Sequence, residues 1–205
     1  MRGKFITFEG VEGAGKTTHA FLLAEHLRGK GLEVVLTQEP GGTPEGERVR
    51  ELLLRPEFDW EPVAELLLYT ADRAQHVGRV IRPALCEGKW VVCDRFSDST
   101  LAYQAFGLGL PRDLVERAVE LGSFGLKPDL TIVLDIEAEE GLRRIGRGAD
   151  RIEMRGVEFH RRVREGYLAL AAEEPGRIFV VRSDRPVEEV HAEIVMLVER
   201  RLLRG

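Results

Sequence analysis

The stretch Gly10-Val11-Glu12-Gly13-Ala14-Gly15-Lys16-Thr17-Thr18 constrains this chain more than any other, because it satisfies G-x-x-x-x-G-K-[ST] in full. An apolar run, Phe5-Ile6-Thr7-Phe8, precedes it, and Ala20, Leu23, Ala24 and Leu27 follow at helical spacing. A strand that turns through such a loop into a helix is the setting in which the motif binds phosphate. Gly10, Gly13 and Gly15 let the backbone turn its N–H groups inward as an anion nest. The helix that follows adds the positive end of its dipole. Lys16 is placed to reach outer phosphates and Thr17 to hold Mg²⁺, so the loop implies a nucleotide but not a reaction.

Strand-like runs alternate with helical patterns along the rest of the chain. Strands are expected at Lys4–Glu9, Glu33–Thr37, Trp90–Cys93, Leu130–Asp135 and Ile178–Val181. All are short, β-branched-rich and apolar on both faces, as strands buried on two sides are. The expected fold class is α/β, a five-stranded parallel sheet between helical layers. Helices are expected over Lys16–Lys30, Pro44–Leu54, Pro62–Glu87, Arg112–Leu121, Glu137–Ile145, Gly156–Glu174 and Pro186–Leu203. Pro62 and Pro186 suit first-turn positions, whereas Pro83 should kink or divide the long central helix. With 205 residues and no linker or repeat, the expectation is a single domain, 1–205. Gly146-Arg147-Gly148-Ala149-Asp150-Arg151, glycine-rich and basic between two helices, reads as a mobile lid spanning about 142–152.

In open α/β sheets ligands collect beyond the carboxyl ends of the strands. Three strands end there in polar groups: Gln38-Glu39-Pro40-Gly41-Gly42, Asp94-Arg95-Phe96, and Asp135. Asp94 and Asp135 compete as the acid that would hold Mg²⁺ beside Thr17; Asp94 is favoured, since Arg95 follows it and Asp135 opens an acid-rich helix start. Glu12 is out of place in an anion-binding loop. Two unit charges about 8 Å apart at an effective dielectric near 20 repel by roughly 2 kcal/mol. Its carboxylate must therefore point away, either to solvent or to the side where a phosphate acceptor would lie. Among the arginines, Arg50, Arg73, Arg95 and the lid residues Arg143, Arg147 and Arg151 stand out by placement, because guanidinium forks suit phosphates and base carbonyls. The five histidines are scattered, and no Ser-His-Asp order or nucleophile elbow is present.

Bulk properties narrow the class further. A net charge of −5 argues against nucleic-acid or membrane-surface binding. Cys86 and Cys93 have no neighbours at metal-ligand spacing and suggest no disulfide framework. No apolar stretch of membrane length or signal peptide is seen, so a cytoplasmic location is expected.

Taken together, these stretches resemble the bacterial thymidylate kinases, members of the phosphate-loop nucleoside monophosphate kinase family. The loop with Glu12 and Gly13, Glu39-Pro40-Gly41-Gly42-Thr43, Asp94-Arg95-Phe96 with Ser99 to Gln104, Lys127-Pro128-Asp129-Leu130 and Asp150-Arg151-Ile152-Glu153 carry the likeness in one register over nearly the whole chain. The resemblance implies a phosphate-loop kinase fold with a small basic lid, transfer of a phosphoryl group from ATP to dTMP with Mg²⁺, and a homodimer. It implies ATP contacts along Gly10, Val11, Glu12, Gly13, Ala14, Gly15, Lys16, Thr17 and Thr18, with Arg143 and Arg151 from the lid. For dTMP it implies Glu12, Arg50, Tyr69, Arg73, Arg95, Ser99, Thr100 and Gln104, with Tyr69 stacking on thymine and Arg50 and Arg95 on the phosphate. Lys16, Arg95, Arg147 and Glu39 are the implied catalytic residues, and Thr17 and Asp94 the implied metal ligands. Gln38 stands where the family commonly has Arg, Phe96 where it has Tyr or His, and the lid is two residues shorter than in the enterobacterial enzymes.

A GTP-binding switch shares the phosphate loop but needs Asp-x-x-Gly and Asn-Lys-x-Asp after later strands. Here Ser97 stands three residues after Asp94, and Lys127-Pro128-Asp129 precedes its strand without the Asn.

Overall fold

The computed structural model describes residues 3–146 and 150–203. Strands β1 (Phe5–Glu9), β2 (Val34–Gln38), β3 (Trp90–Asp94), β4 (Leu130–Asp135) and β5 (Ile178–Arg182) form one sheet in the order β2-β3-β1-β4-β5. Every pair is parallel. Period-two alternation divides the strand side chains between two cores. Ile6, Phe8, Trp90, Val92, Ile132 and Leu134 enter the larger one with Leu23 and Leu27. Phe5, Val91 and Cys93 enter the smaller one with Val77, Ile81 and Phe96. Burial on both faces, expected of all five strands, holds for β1 and β3 and nearly all of β4. β2 and β5 are the sheet edges, and Leu36 and Val180 on them are exposed.

Around the sheet run α1 (Lys16–Gly29), α2 (Pro44–Leu54), α3 (Pro62–His76), α4 (Arg82–Cys86), α5 (Ser97–Thr100), α6 (Arg112–Ser123), α7 (Ala138–Ile145), α8 (Val157–Glu173) and α9 (Val187–Val198). Thr43 caps α2 by accepting the Gly46 N–H at 2.9 Å, with Pro44 in the first turn. The long central helix is divided before Pro83 rather than at it. A π-helical turn, Val77–Ile81, joins α3 to α4, and Pro83 occupies the first turn of α4. The wider turn makes room for a ring that would otherwise strike the carbonyl four residues back.

One helix escapes the sequence pattern: α5 continues as a π-helical segment, Leu101–Gly107. Its start, Ser97-Asp98-Ser99-Thr100, favours turns and caps over helix interiors. Tertiary contacts supply the missing stability. Asp98 is buried against Arg177 at 2.7 Å, and the segment packs along α8. This helix carries several groups of the site described next.

Candidate active site

The site lies at the carboxyl ends of β1 and β3. The Arg95 N–H donates to the Phe8 carbonyl at 2.9 Å, extending the ladder one residue past the strand. That residue takes φ 71°, in the left-handed region that side-chain-bearing residues rarely adopt. The turn aims its guanidinium back over the loop. It donates to the Gly10 carbonyl at 3.1 Å, the Tyr103 hydroxyl at 3.0 Å and Glu12 at 2.5 Å. Tyr103 also donates to Glu12, at 2.8 Å. Burial alone would raise the Glu12 carboxyl, but Arg95, Lys16 and the Tyr103 hydroxyl outweigh it and hold the pKa down at about 2. Glu12 is thus a fixed anion whose charge is met by the Arg95 guanidinium, at the border of the two clefts.

On the phosphate side, Lys16 Nζ donates to the Val11 carbonyl at 2.8 Å, inside its own loop. Burial and the charge of Arg95 push its ammonium pKa down. Thr17 Oγ1 donates to Asp94 Oδ2 at 2.5 Å, while Asp94 Oδ1 is buried with no hydrogen-bond partner. An orphaned carboxylate oxygen beside a threonine hydroxyl is a donor set that suits a hard divalent cation. Asp135 is engaged elsewhere, held by Arg164 at 2.6 and 3.0 Å. It does not cap α7, whose N-cap is Glu137. At Gly13 there is no room for a side chain. A Cβ there would lie 2.0 Å from the Gly141 carbonyl oxygen, and one on Gly141 would lie 2.2 Å from that of Glu12. The loop and the start of α7 meet backbone to backbone.

The basic segment is distributed differently from its sequence reading. Arg143 pairs with Glu140 at 2.7 Å and is 74% exposed. Arg144, not singled out from the sequence, lines the phosphate-loop cleft. Arg147 lies outside the described residues. Arg151, expected against ATP, is instead buried on the acceptor side. It donates to Glu65 at 2.5 Å and to the Leu53 carbonyl at 2.8 Å, because the fully buried Glu65 needs cations and finds them in Arg151 and Arg155.

The acceptor cleft opens across Glu12 from the loop. Arg50, Tyr69, Arg73, Arg95, Ser99, Thr100 and Gln104 all line it, so the structure brings together every acceptor-side residue singled out from the sequence. Arg50 donates to the Pro40 carbonyl at 2.9 Å. Arg73 is buried, with Nε on Glu39 at 2.8 Å and Nη2 on the Phe96 carbonyl at 3.0 Å. Its Nη1 has no partner, which leaves both N–H groups of that nitrogen unspent on a cleft-lining cation. Glu39 is also bound by His76 Nδ1 at 3.0 Å, and His76 Nε2 meets Thr37 at 2.7 Å. Asp72 sits behind, receiving the Gly41 N–H at 3.1 Å; burial and Glu39 push its pKa up to about 7. Gln104 is fixed by donation to Glu65 at 3.0 Å.

The two clefts are not separate. Glu12, Glu39, Arg50 and Arg95 line both. Sequence reasoning missed the buried supports of this junction: Glu9, Glu65, His76 and Tyr167. Glu9 carried a signal, since it is a strand-end acid abutting the loop; the others depend on chain crossings no local pattern records.

A family model described as thymidylate kinase matches residues 8–194. Among curated relatives, the thymidylate kinase of Pelotomaculum thermopropionicum is 52% identical over 203 residues, covering 97% of this chain and 94% of that protein. The thymidylate kinase of Deinococcus radiodurans is 49% identical over 202 residues, covering 98% of each. Among solved structures, thymidylate kinase from Ehrlichia chaffeensis superposes with a TM-score of 0.81 at 35% identity, covering 97% of this chain and 100% of that one. A match across nearly the whole length, joined to a phosphate loop that shares Glu12 and Arg95 with a second cleft, leads to one conclusion: the chain belongs to the thymidylate kinase family.

Proposed function

We propose that this chain transfers the γ-phosphoryl group of ATP to dTMP, giving dTDP and ADP. One observation carries this reading above the others: the phosphate-loop cleft and the acceptor cleft share Glu12, Glu39, Arg50 and Arg95. Donor and acceptor phosphates would meet there, and transfer between two bound anions needs positioning and charge neutralisation more than covalent help. ATP phosphates would lie along Gly10 to Thr18, with Lys16 leaving the Val11 carbonyl to reach them and Arg144 closing from α7. Thr17 and Asp94 would hold Mg²⁺, which when bound neutralises phosphate charge. Arg95 and Arg50 would hold the acceptor phosphate, Tyr69 would stack on the base, and an N–H of Arg73 Nη1 would meet a base carbonyl.

The segment about 142–152 is proposed as the lid of a single domain, 1–205, excluding water so that ATP is not hydrolysed. A homodimer is proposed through α3 and α6, which pack together and present Leu67 and Leu121 to solvent. Sedimentation at micromolar concentration should give twice the chain mass, and Leu67→Glu should return it to one. Among the described residues no helix is long and apolar enough to cross a membrane. A cytoplasmic location, where ATP and dTMP are met, is the proposed setting; cell fractionation would check it.

A coupled assay of ADP release, run with dTMP, dUMP, dCMP, dGMP and AMP, tests the reaction. Turnover should be highest with dTMP and depend on a divalent cation. Equal rates for all acceptors, or none for dTMP, would overturn it.

A further inference from the structure

Glu9 ends β1 beneath the acceptor cleft and has no role in the assignments above, yet it is fully buried and three donors converge on it. The Phe96 N–H donates to Oε1 at 2.8 Å. Ser99 Oγ and the Tyr167 hydroxyl donate to Oε2 at 2.5 and 3.1 Å. The two hydroxyl oxygens are themselves 2.8 Å apart. On their other side stands Arg95, with Nη1 at 3.2 Å from Ser99 Oγ and 3.3 Å from the Tyr167 oxygen. A guanidinium only donates and a carboxylate only accepts. The hydroxyls between them therefore have a defined sense: Ser99 gives its proton to Glu9, Tyr167 gives its proton to Glu9 or Ser99, and both leave lone pairs toward Arg95.

The geometry points to Glu9 as a positioning residue that, through the Ser99 and Tyr167 hydroxyls, fixes the guanidinium of Arg95 for the acceptor phosphate. This rests on the reading of Arg95 as the clamp of that phosphate. The sense of the relay can be reversed. Phe96 N–H is a fixed donor, so Oε1 must remain an acceptor. A proton on the carboxyl then sits on Oε2, and in Glu9→Gln the amide NH₂ sits there. Either one donates to the hydroxyls, whose protons turn toward Arg95 and oppose its N–H. The charged and titratable groups facing Glu9 are Asp98 on α5, Arg95 after β3, Lys16 on α1, Cys93 on β3 and Tyr167 on α8. Burial and Asp98 raise the Glu9 pKa to about 7 against the pull of Ser99 and Arg95, so the reversal falls within reach of a binding assay.

The test is calorimetric titration of dTMP into the full chain, wild type and Glu9→Gln, between about pH 5.5 and 8.5, where a group of pKa near 7 passes from protonated to ionised. At the alkaline end Glu9→Gln should bind on the order of tenfold more weakly, the loss of one well-oriented charged hydrogen bond. The ratio of wild-type to variant affinity should close toward one at the acid end. Ionisation of the dTMP phosphate is common to both proteins and cancels in that ratio. A ratio that stays constant with pH, at one or at ten, overturns the proposal. If Glu9→Gln folds poorly, Tyr167→Phe removes the other relay hydroxyl without changing a cleft-lining residue and must show the same closing ratio. Arg95→Ala separates the two levels. If it binds dTMP like the wild type, the clamp reading is wrong. If it loses binding while Glu9→Gln matches the wild type throughout, only the positioning role is wrong.

Discussion

Arg95 is held at φ 71° by a ladder bond to Phe8, and the cost of that backbone is offset by what its side chain reaches. From one point it touches the loop carbonyl of Gly10, the carboxylate of Glu12 and the hydroxyl of Tyr103. Charge repulsion turns Glu12 away from the phosphates, to solvent or to the acceptor side, but its cation partner stands 83 residues away and no local pattern predicts the pair. The pair has a pH signature. The Glu12 carboxyl sits at about 2, below its ordinary value of 4.5. A depressed carboxyl contributes stability above its unfolded pKa and loses it as pH falls toward the folded one. Thermal melts of wild type and Glu12→Gln should therefore differ most near neutrality and converge between about pH 4.5 and 2. A gap that does not shrink on acidification would contradict the pairing. Glu9 has the opposite sign. Its raised pKa means that the stability of wild type relative to Glu9→Gln falls as pH rises from 4.5 to about 7.

Elements act here mainly by how closely they approach. The phosphate loop and the start of α7 touch through Gly13 and Gly141, with no room for a Cβ on either. Gly141→Ala should force the loop aside at a cost of about 1–3 kcal/mol. ATP affinity should fall while dTMP affinity, measured alone, changes little; equal losses for both would show that the contact does not act through the loop. Arg151, at the far end of the proposed lid, ties that end to α3 through Glu65. Arg155 would still face Glu65, so Arg151→Ala should lower stability by less than the roughly 3 kcal/mol of breaking a lone buried pair, about 1–2 kcal/mol, and weaken dTMP binding more than ATP binding. A larger effect on ATP would place Arg151 on the donor side instead. The strand–loop–helix and the parallel strands were legible because periodicity and glycine placement act within a few residues. Helix α5 was not, since Ser97-Asp98-Ser99-Thr100 becomes helical only once Asp98 meets Arg177 from another part of the chain.

At the scale of the molecule, the strand order β2-β3-β1-β4-β5 sets the ends of β1 and β3 side by side, and with them the loop and Arg95. Residues as far apart in sequence as Glu12, Arg50, Tyr69 and Gln104 come to line adjoining clefts that share Glu12 and Arg50. Arg50, Arg73 and Arg95 stand out in the sequence by placement, whereas the buried supports Glu65, His76 and Tyr167 do not, since each owes its place to a partner at least 37 residues distant. Arg95 joins the two clefts from the acceptor side. Steady-state kinetics of Arg95→Ala, varying dTMP and ATP in turn, test it most directly. The predicted result is a fall in kcat/KM for dTMP on the order of a hundredfold, as for loss of a charged clamp that strengthens in the transition state, with the ATP dissociation constant nearly unchanged. Unchanged kcat/KM for dTMP, or a loss confined to ATP, would contradict it.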